Sequence, residues 1–282
     1  MNRNMLPIII KGAGDLATGI AYRLHKSGFK IIMTETDRPL AVRRAVAFAE
    51  AVYSGLVAVE GVSACLAGNV EDAVDLVESG VIPVLVDPGA LVIKQLHPLV
   101  VIDAIMAKRN TGTAITDAPL VIGLGPGFTA GLDVHVVIET SRGADLGRVI
   151  DSGGAALDTG IPGAVMGFTL ERLLRAPVDG VVLPCRLIGQ RVEKGDVVAF
   201  VETSQVRAEI TGLIRGMIKA GVWVARGTKI GDIDPRDNAE YDKISDKAMA
   251  VGGAVVETVL RRCRTGLKKP VTFIIHPLTV SG

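Results

Sequence analysis

The sequence predicts an α/β protein with a doubly wound, mostly parallel Rossmann-like sheet, followed by a smaller all-β unit. Three observations carry this expectation. From residue 7 onward, short β-branched runs alternate with segments of helical period. Half of the chain is apolar (49%) but only 4% is aromatic, so the interior must be built from Val, Ile, Leu and Ala, which suits strands buried on both faces. Near Ala176 the texture changes to short strands punctuated by glycine. The expected division is a nucleotide-binding domain over residues 1–172, a small β domain over 176–236, and a C-terminal helix and strand over 237–282 that pack back on the first domain.

The first strand is PIII, Pro7 to Ile10, and it stops at a glycine-rich turn, KGAGDLATG, that opens a helical pattern. Gly12, Gly14 and Ala17 supply the three small positions of a dinucleotide fingerprint. Gly12 permits the tight turn, Gly14 admits a pyrophosphate to the backbone, and Ala17 lets helix and strand pack closely. The helix beginning near Asp15 would present free N–H groups and its positive end to a phosphate, which makes Gly12, Ala13, Gly14, Asp15 and Leu16 the expected contacts. A second strand, FKIIMTE, ends at Glu35, where a carboxylate would meet a ribose hydroxyl. Asp15 counts against ordinary NAD binding, because its carboxylate repels a diphosphate unless it caps the helix.

After Glu35, TDRPLAVRRAVAFAEAVYSG predicts a helix starting near Pro39, with Val42, Val46, Phe48 and Val52 at helical spacing. It would expose Arg43 and Arg44 at its beginning, as a phosphate clamp or as a solvated face. LVAVEGV, VEDAVDLVESG, VIPVLVDP and PLVVIDAIMAKR continue the alternation. Asp87 and Asp103 end two of these strands and, with Glu35, are expected either to line one crevice at the carboxyl ends or to cap the following turns. A second glycine loop, Gly123 to Gly131, contains GLGPGF, in which Gly125 and Gly127 offer a backbone nest for an anion or a cofactor ring. Arg142 follows the next strand in a further polar loop. The four histidines, His25, His97, His135 and His276, are too scattered for a metal motif.

A formal net charge of +1 leaves no footprint for nucleic acid. Mean hydropathy is high, at +0.41, yet the most apolar stretch, Val81 to Ile102, is broken by Pro83, Asp87, Pro88, Lys94 and Pro98, so no membrane span is expected. Met1 to Pro7 is too short and polar for a signal peptide. Cys65, Cys185 and Cys263 form no paired framework, so a reducing cytoplasm is the expected location. Cys65, near a loop, is the thiol to watch.

The small domain contains an internal repeat. APVDGVVLPCRLIGQRVEKGDVVAFVE is echoed by AEITGLIRGMIKAGVWVARGTKIGDID, with Gly180, Gly189 and Gly195 answering Gly212, Gly221 and Gly227. The segment resembles the barrel-sandwich of lipoyl and biotinyl carrier domains, in which a lysine in the joining hairpin is modified. Here that hairpin reads Glu202, Thr203, Ser204, Gln205, Val206, and an amide cannot form the acyl linkage that an amine forms. A carrier role is therefore not expected. Beyond it, SDKAMAVGGAVVETVLRRC predicts a buried helix capped by Ser245, with Gly252 and Gly253 allowing another backbone to approach, and VTFII predicts a closing strand.

The whole chain, through KGAGDLATG, ETDRPLAVRRAVAFAEAVY, VIDAIMAKRN, GLGPGFTAG, VIETSRGADLGRVI and GDIDPR, resembles the YqeB-type accessory proteins of selenium-dependent molybdenum hydroxylases. The resemblance implies a role in maturing such a hydroxylase, which would be the protein partner, by handling either its molybdopterin dinucleotide or the selenium step. It implies no catalytic residue. The rival reading is an NAD(P)-dependent oxidoreductase, which would need a substrate-side acid or base beside the nicotinamide. A third is a scaffold docking the hydroxylase through its β domain. A homo-oligomer is compatible with each.

Overall fold

The computed structural model describes residues 7–265, and the expected strand VTFII, with His276, lies outside the described residues. The chain begins with β1 (Ile8–Lys11), α1 (Asp15–Lys26) and β2 (Ile31–Glu35), then two 3-10 turns (Arg44–Val46 and Phe48–Glu50) and the single turn α2 (Ala51–Ser54). A hairpin follows, β3 (Leu56–Val59) and β4 (Val62–Ala67), then α3 (Val70–Glu78), β5 (Ile82–Val86), α4 (Val92–Leu96) and β6 (Val100–Asp103). β7 (Leu120–Leu124), β8 (Val136–Ile138) and β9 (Val149–Ile150) complete a nine-stranded sheet of order β3-β4-β5-β2-β1-β6-β7-β8-β9.

Period-2 alternation gives this sheet two buried faces. Ile8, Ile10, Ile31, Met33 and Ile102 point to the side covered by α1, where Leu16, Ile20 and Leu24 form a helical stripe. Ile9, Ile32, Val101 and Val121 point to the other side, against Ala73 of α3 and Val92 and Ile93 of α4.

This topology corrects the expected fold class. The sheet is mixed: strands from β4 to β8 run parallel, but both edges, β3 against β4 and β9 against β8, are antiparallel. It is also not doubly wound, since the β6–β7 and β7–β8 connections contain no helix. Their sequences, rich in Gly, Pro, Thr and Asp, cannot sustain one. The Rossmann-like sheet with a lipoyl/biotinyl-like barrel-sandwich is therefore replaced by a large mixed sheet and two antiparallel sheets.

Two local expectations also change. The helix from Pro39 is broken into 3-10 turns because Val46, Ala47, Phe48 and Ala49 are all fully buried, and four consecutive residues cannot share one face of a helix. Their backbone is tied sideways instead: Phe48 N donates to Thr18 Oγ1 (2.8 Å) and Ala49 N to the Ala13 carbonyl (2.8 Å). LVAVEGV is one arm of a hairpin whose turn, Glu60 and Gly61, has both φ positive, as the right-handed twist of two joined strands favours.

The β unit comprises β10 (Leu173–Arg175), β11 (Gly180–Pro184), β12 (Arg191–Val192), β13 (Val197–Val201), β14 (Ser204–Arg207), β15 (Gly212–Met217), β16 (Trp223–Val224) and β17 (Lys229–Asp234). Two four-stranded antiparallel sheets, β10-β17-β15-β12 and β14-β13-β11-β16, enclose a core that includes Val182, Val198, Ile214 and Ile233. β11, β12 and β13 begin at residues 180, 191 and 197, and β15, β16 and β17 at 212, 223 and 229, so the repeat is carried by three strands at one constant offset. The halves exchange strands, because β12 pairs with β15 and β16 with β11. Gln205 is exposed, and its Oε1 accepts from Arg207 Nη2 at 2.5 Å.

The segment at 42–50 joins the two units. Met217 N donates to the Val42 carbonyl (2.8 Å), Arg44 Nε to the Met217 carbonyl (2.9 Å), and Lys219 Nζ pairs with Glu50 at 3.0 Å. From the β unit the chain enters α5 (Asp246–Thr265), which lies along α1. The helices meet through small residues: a Cβ on Gly19 would lie 2.6 Å from the Ala248 Cβ, and one on Gly252 2.9 Å from the Gly19 carbonyl oxygen. Gly253 faces open space. Gly252→Ala should therefore cost about 1–3 kcal/mol through forced separation of the helices, whereas Gly253→Ala should be neutral or stabilise by up to about 1 kcal/mol. Denaturant unfolding of both variants measures the contrast.

Candidate functional site

A cleft of about 520 Å³ opens at the carboxyl ends of β1, β2 and β6. It is lined by the turn after β1 (Gly12, Gly14, Asp15, Leu16, Ala17), by Glu35, Thr36, Asp37, Arg38, Leu40 and Ala41, and by Ala104, Ile105 and Met106 after β6. Three small features of the sequence shape it. Gly12 has φ +92°, and a Cβ there would meet the Ala104 carbonyl oxygen at 3.0 Å, so only glycine lets the chain turn this close to the β6 exit. Gly14 has an ordinary φ of −63°, and nothing lies within 4 Å of an added Cβ, so the space above it belongs to the cleft. Ala17 is fully buried beneath the turn.

Glu35 holds the turn in shape. Its Oε2 accepts from Ala13 N (2.9 Å) and its Oε1 from Thr36 N (2.8 Å), which ties the end of β2 to the loop after β1. A carboxylate offers about four acceptor positions, so two backbone bonds leave capacity for a ligand hydroxyl. Thr18 reinforces the arrangement by donating to the Ala13 carbonyl while accepting from Phe48 N. The N-terminus of α1 is left without a side-chain cap. Its first intrahelical bond is Thr18 N to the Gly14 carbonyl (2.8 Å), so the N–H groups of Asp15, Leu16 and Ala17 have no partner within the helix. With the helix dipole they favour an anion above Gly14. Leu40 and Ile105, both exposed, and Met106 add apolar lining of the kind on which a planar ring rests.

Asp15 does not cap the helix. Its half-exposed carboxylate lies 3.7 Å from Arg43 Nη1. Arg43 is not solvated at a helix start, as the sequence suggested, but 7% exposed, and Arg44 is half-buried against Glu50 (2.9 Å).

The structure thus brings Gly12, Gly14, Asp15, Leu16 and Glu35 onto one cleft with Ala13 buried beneath, and places the other expected residues elsewhere. Asp103 is buried in a network in which Lys11 Nζ donates to Thr113 Oγ1 and Thr113 Oγ1 to Asp103 Oδ2, each at 2.5 Å. Asp87 accepts from Val92 N at 2.9 Å and so caps the turn into α4. Gly125 and Gly127 serve close packing: a Cβ on Gly125 would meet Thr140 Oγ1 at 2.5 Å, and one on Gly127 the Arg109 backbone at 2.6 Å. Arg142 grips Asp246 through two bonds of 2.6 and 2.7 Å. The lining residues that the sequence did not single out, Thr36, Asp37, Arg38, Leu40 and Ala41 after β2 and Ala104, Ile105 and Met106 after β6, follow the strand ends. That position was their available signal.

Among the described residues no group of three His, Cys, Asp or Glu side chains is placed to hold a metal, and no helix is long and apolar enough to cross a membrane.

The Asp246 carboxyl is held well below the usual carboxylate range, chiefly by its hydrogen bonds to Arg142. Because its folded-state pKa is depressed, its contribution to stability is present above the unfolded value and is lost as pH falls through the folded one. Asp246→Asn should destabilise the protein by at most about 1 kcal/mol at neutral pH, with the difference from wild type shrinking below about pH 4. Thermal melts across pH read this directly.

No protein-family model matches the chain. Among solved structures, an aspartoacylase family protein from Mesorhizobium loti is 13% identical, with 82% of this chain and 86% of that one covered and a TM-score of 0.28. The ectoine utilization protein EutE from Ruegeria pomeroyi is 11% identical, with 80% and 85% covered and a TM-score of 0.23. Neither score reaches the level of a shared fold, and neither likeness bears on this cleft. In sequence, the chain is 48% identical over 262 residues, 93% of its length, to "Uncharacterized protein YqeB" of Escherichia coli strain K12. Along nearly its whole length the chain is therefore similar to YqeB, and it spans about half the length of that relative.

Proposed function

We propose that this chain binds the phosphate-bearing portion of a dinucleotide-type cofactor in the cleft above Gly14, and that it handles such a cofactor as a cytoplasmic accessory factor for a selenium-dependent molybdenum hydroxylase. The observation that carries the binding reading is the uncapped N-terminus of a 12-residue helix beside an open glycine, with Glu35 clamped where a ribose hydroxyl can still reach it. A molybdopterin dinucleotide is the ligand that the resemblance to YqeB-type accessory proteins implies.

NAD(P)-dependent hydride transfer is the second reading, and the cleft composition disfavours it. The ionisable groups on the described lining are Asp15, Glu35, Asp37 and Arg38, with no His, Tyr, Lys or Cys to exchange a proton with a substrate near neutral pH. Binding and transfer of an intact cofactor need no such group.

Gly14→Asp tests the binding reading. Aspartate is a favoured N-cap, so the variant should be as stable as wild type or slightly more so. Its carboxylate would nonetheless occupy the phosphate position and lower the affinity for ADP, CDP or NAD by about a hundredfold or more, ~2.7 kcal/mol. Calorimetry with these three ligands is the measurement. Unchanged affinity for any of them that wild type binds through the cleft would refute the assignment.

A further inference from the structure

We propose that the cleft is a one-nucleotide site: it holds the nucleoside and diphosphate of a dinucleotide and leaves the other nucleoside half standing in solvent, where a second protein can take hold of it. The proposal rests on the binding reading above and deepens it, since the group recognised becomes a nucleoside diphosphate rather than a whole dinucleotide.

The carrying observation is that the chain itself fills the other half of the crevice. A parallel sheet that takes a dinucleotide does so across two halves, at strand exits on either side of the central turn. Here the strand order β5-β2-β1-β6-β7-β8 puts the exit of β2 on one side of the Gly12 turn and the exits of β6, β7 and β8 on the other. The β2 side is open, with Glu35, Thr36 and the exposed Leu40 lining the cleft. From the far side the lining consists of Ala104, Ile105 and Met106, directly after β6.

Beyond Met106 the connection from β6 to β7 folds back over the strand ends. Met106 and Lys108 are both left-handed, with φ of +62° and +61°, a backbone that a residue with a side chain adopts where its surroundings impose it. The reversal lays the Arg109 backbone on Gly127, 2.6 Å from where a Cβ would be, and brings the buried Thr113 between Lys11 and Asp103. Those three side chains are buried and turned to one another, so they address no ligand. At the next exit Thr140 closes over Gly125, and Gly125 N donates to the Ile138 carbonyl at 2.9 Å. On the α1 face the start of α5 takes the corresponding place. It is held by Arg142 on Asp246, and a Cβ on Gly147 would lie 3.4 Å from the Ala250 carbonyl oxygen. The glycine loop that could have received a second nucleotide is used to pack loop against loop.

A ligand with its diphosphate above Gly14 and its ribose at Glu35 points its far end at this wall. That end must turn outward, past the half-exposed Asp15 and the exposed Ile105. A recipient protein can then bind the outer half before the nucleotide half is released, so transfer needs no free cofactor.

Calorimetry with ADP and NAD on the full chain tests this. A buried second half would add contact area and affinity, whereas an exposed one adds neither. NAD should bind less than about threefold more tightly than ADP, and iodide should quench the fluorescence of bound NADH at least about half as strongly as that of free NADH. Arg142→Ala, at the filled β8 exit, should leave the ratio of the two affinities unchanged. A larger gain for NAD, a more strongly shielded nicotinamide, or a ratio altered by Arg142→Ala would each overturn the proposal with binding through the cleft intact. No binding of either ligand to wild type, or unchanged affinities in Gly14→Asp, would remove the binding reading and this proposal with it.

Discussion

The site depends on one carboxylate holding two backbone amides. Glu35, at the end of β2, accepts from Ala13 and Thr36, and so fixes the turn after β1 against its neighbouring strand. The turn can follow that path only because Gly12 takes a positive φ against the Ala104 carbonyl. Once both constraints hold, α1 must start at Asp15 with its first amides uncapped, and Gly14 must face open space. A central strand buried on both faces supplies the rigidity that keeps a site on this loop in place.

The remaining chain is fitted around that turn. The segment at 42–50 crosses beneath it, bonded to Thr18 and Ala13 on one side and to Met217 on the other, which seats the β unit beside the cleft. Gly216 makes this seating close, since a Cβ there would lie 2.8 Å from the Val42 carbonyl oxygen. α5 returns along α1 through Gly19, Ala248 and Gly252 and brings Lys247 near its N-terminal end.

How much of this was legible in the sequence follows from which constraints are local. The strands and the first glycine turn were legible because β-branched runs and a short glycine spacing report local conformation. The repeat in the β unit was legible because its strand starts recur at a constant interval. The fold class was not, because edge-strand direction and the loss of crossover helices depend on pairing between distant segments. Helical spacing of Val42, Val46 and Phe48 misled, since the intervening Ala47 and Ala49 are equally buried and small residues carry no sign of which face they occupy. Asp103 looked like a crevice acid but is consumed by Lys11 and Thr113, ten and more residues away. Glycines at a nest and glycines at a tight contact are identical in sequence, and Gly125 and Gly127 both lie in tight contacts.

The central claim is that the cleft above Gly14 holds a phosphate-bearing dinucleotide-type cofactor. The most direct measurement is mass spectrometry of the small molecule released from the protein purified anaerobically from its own cells. The account predicts a nucleotide or dinucleotide carrying a diphosphate, with a pterin dinucleotide as the specific expectation. A reproducibly retained ligand without phosphate would contradict it.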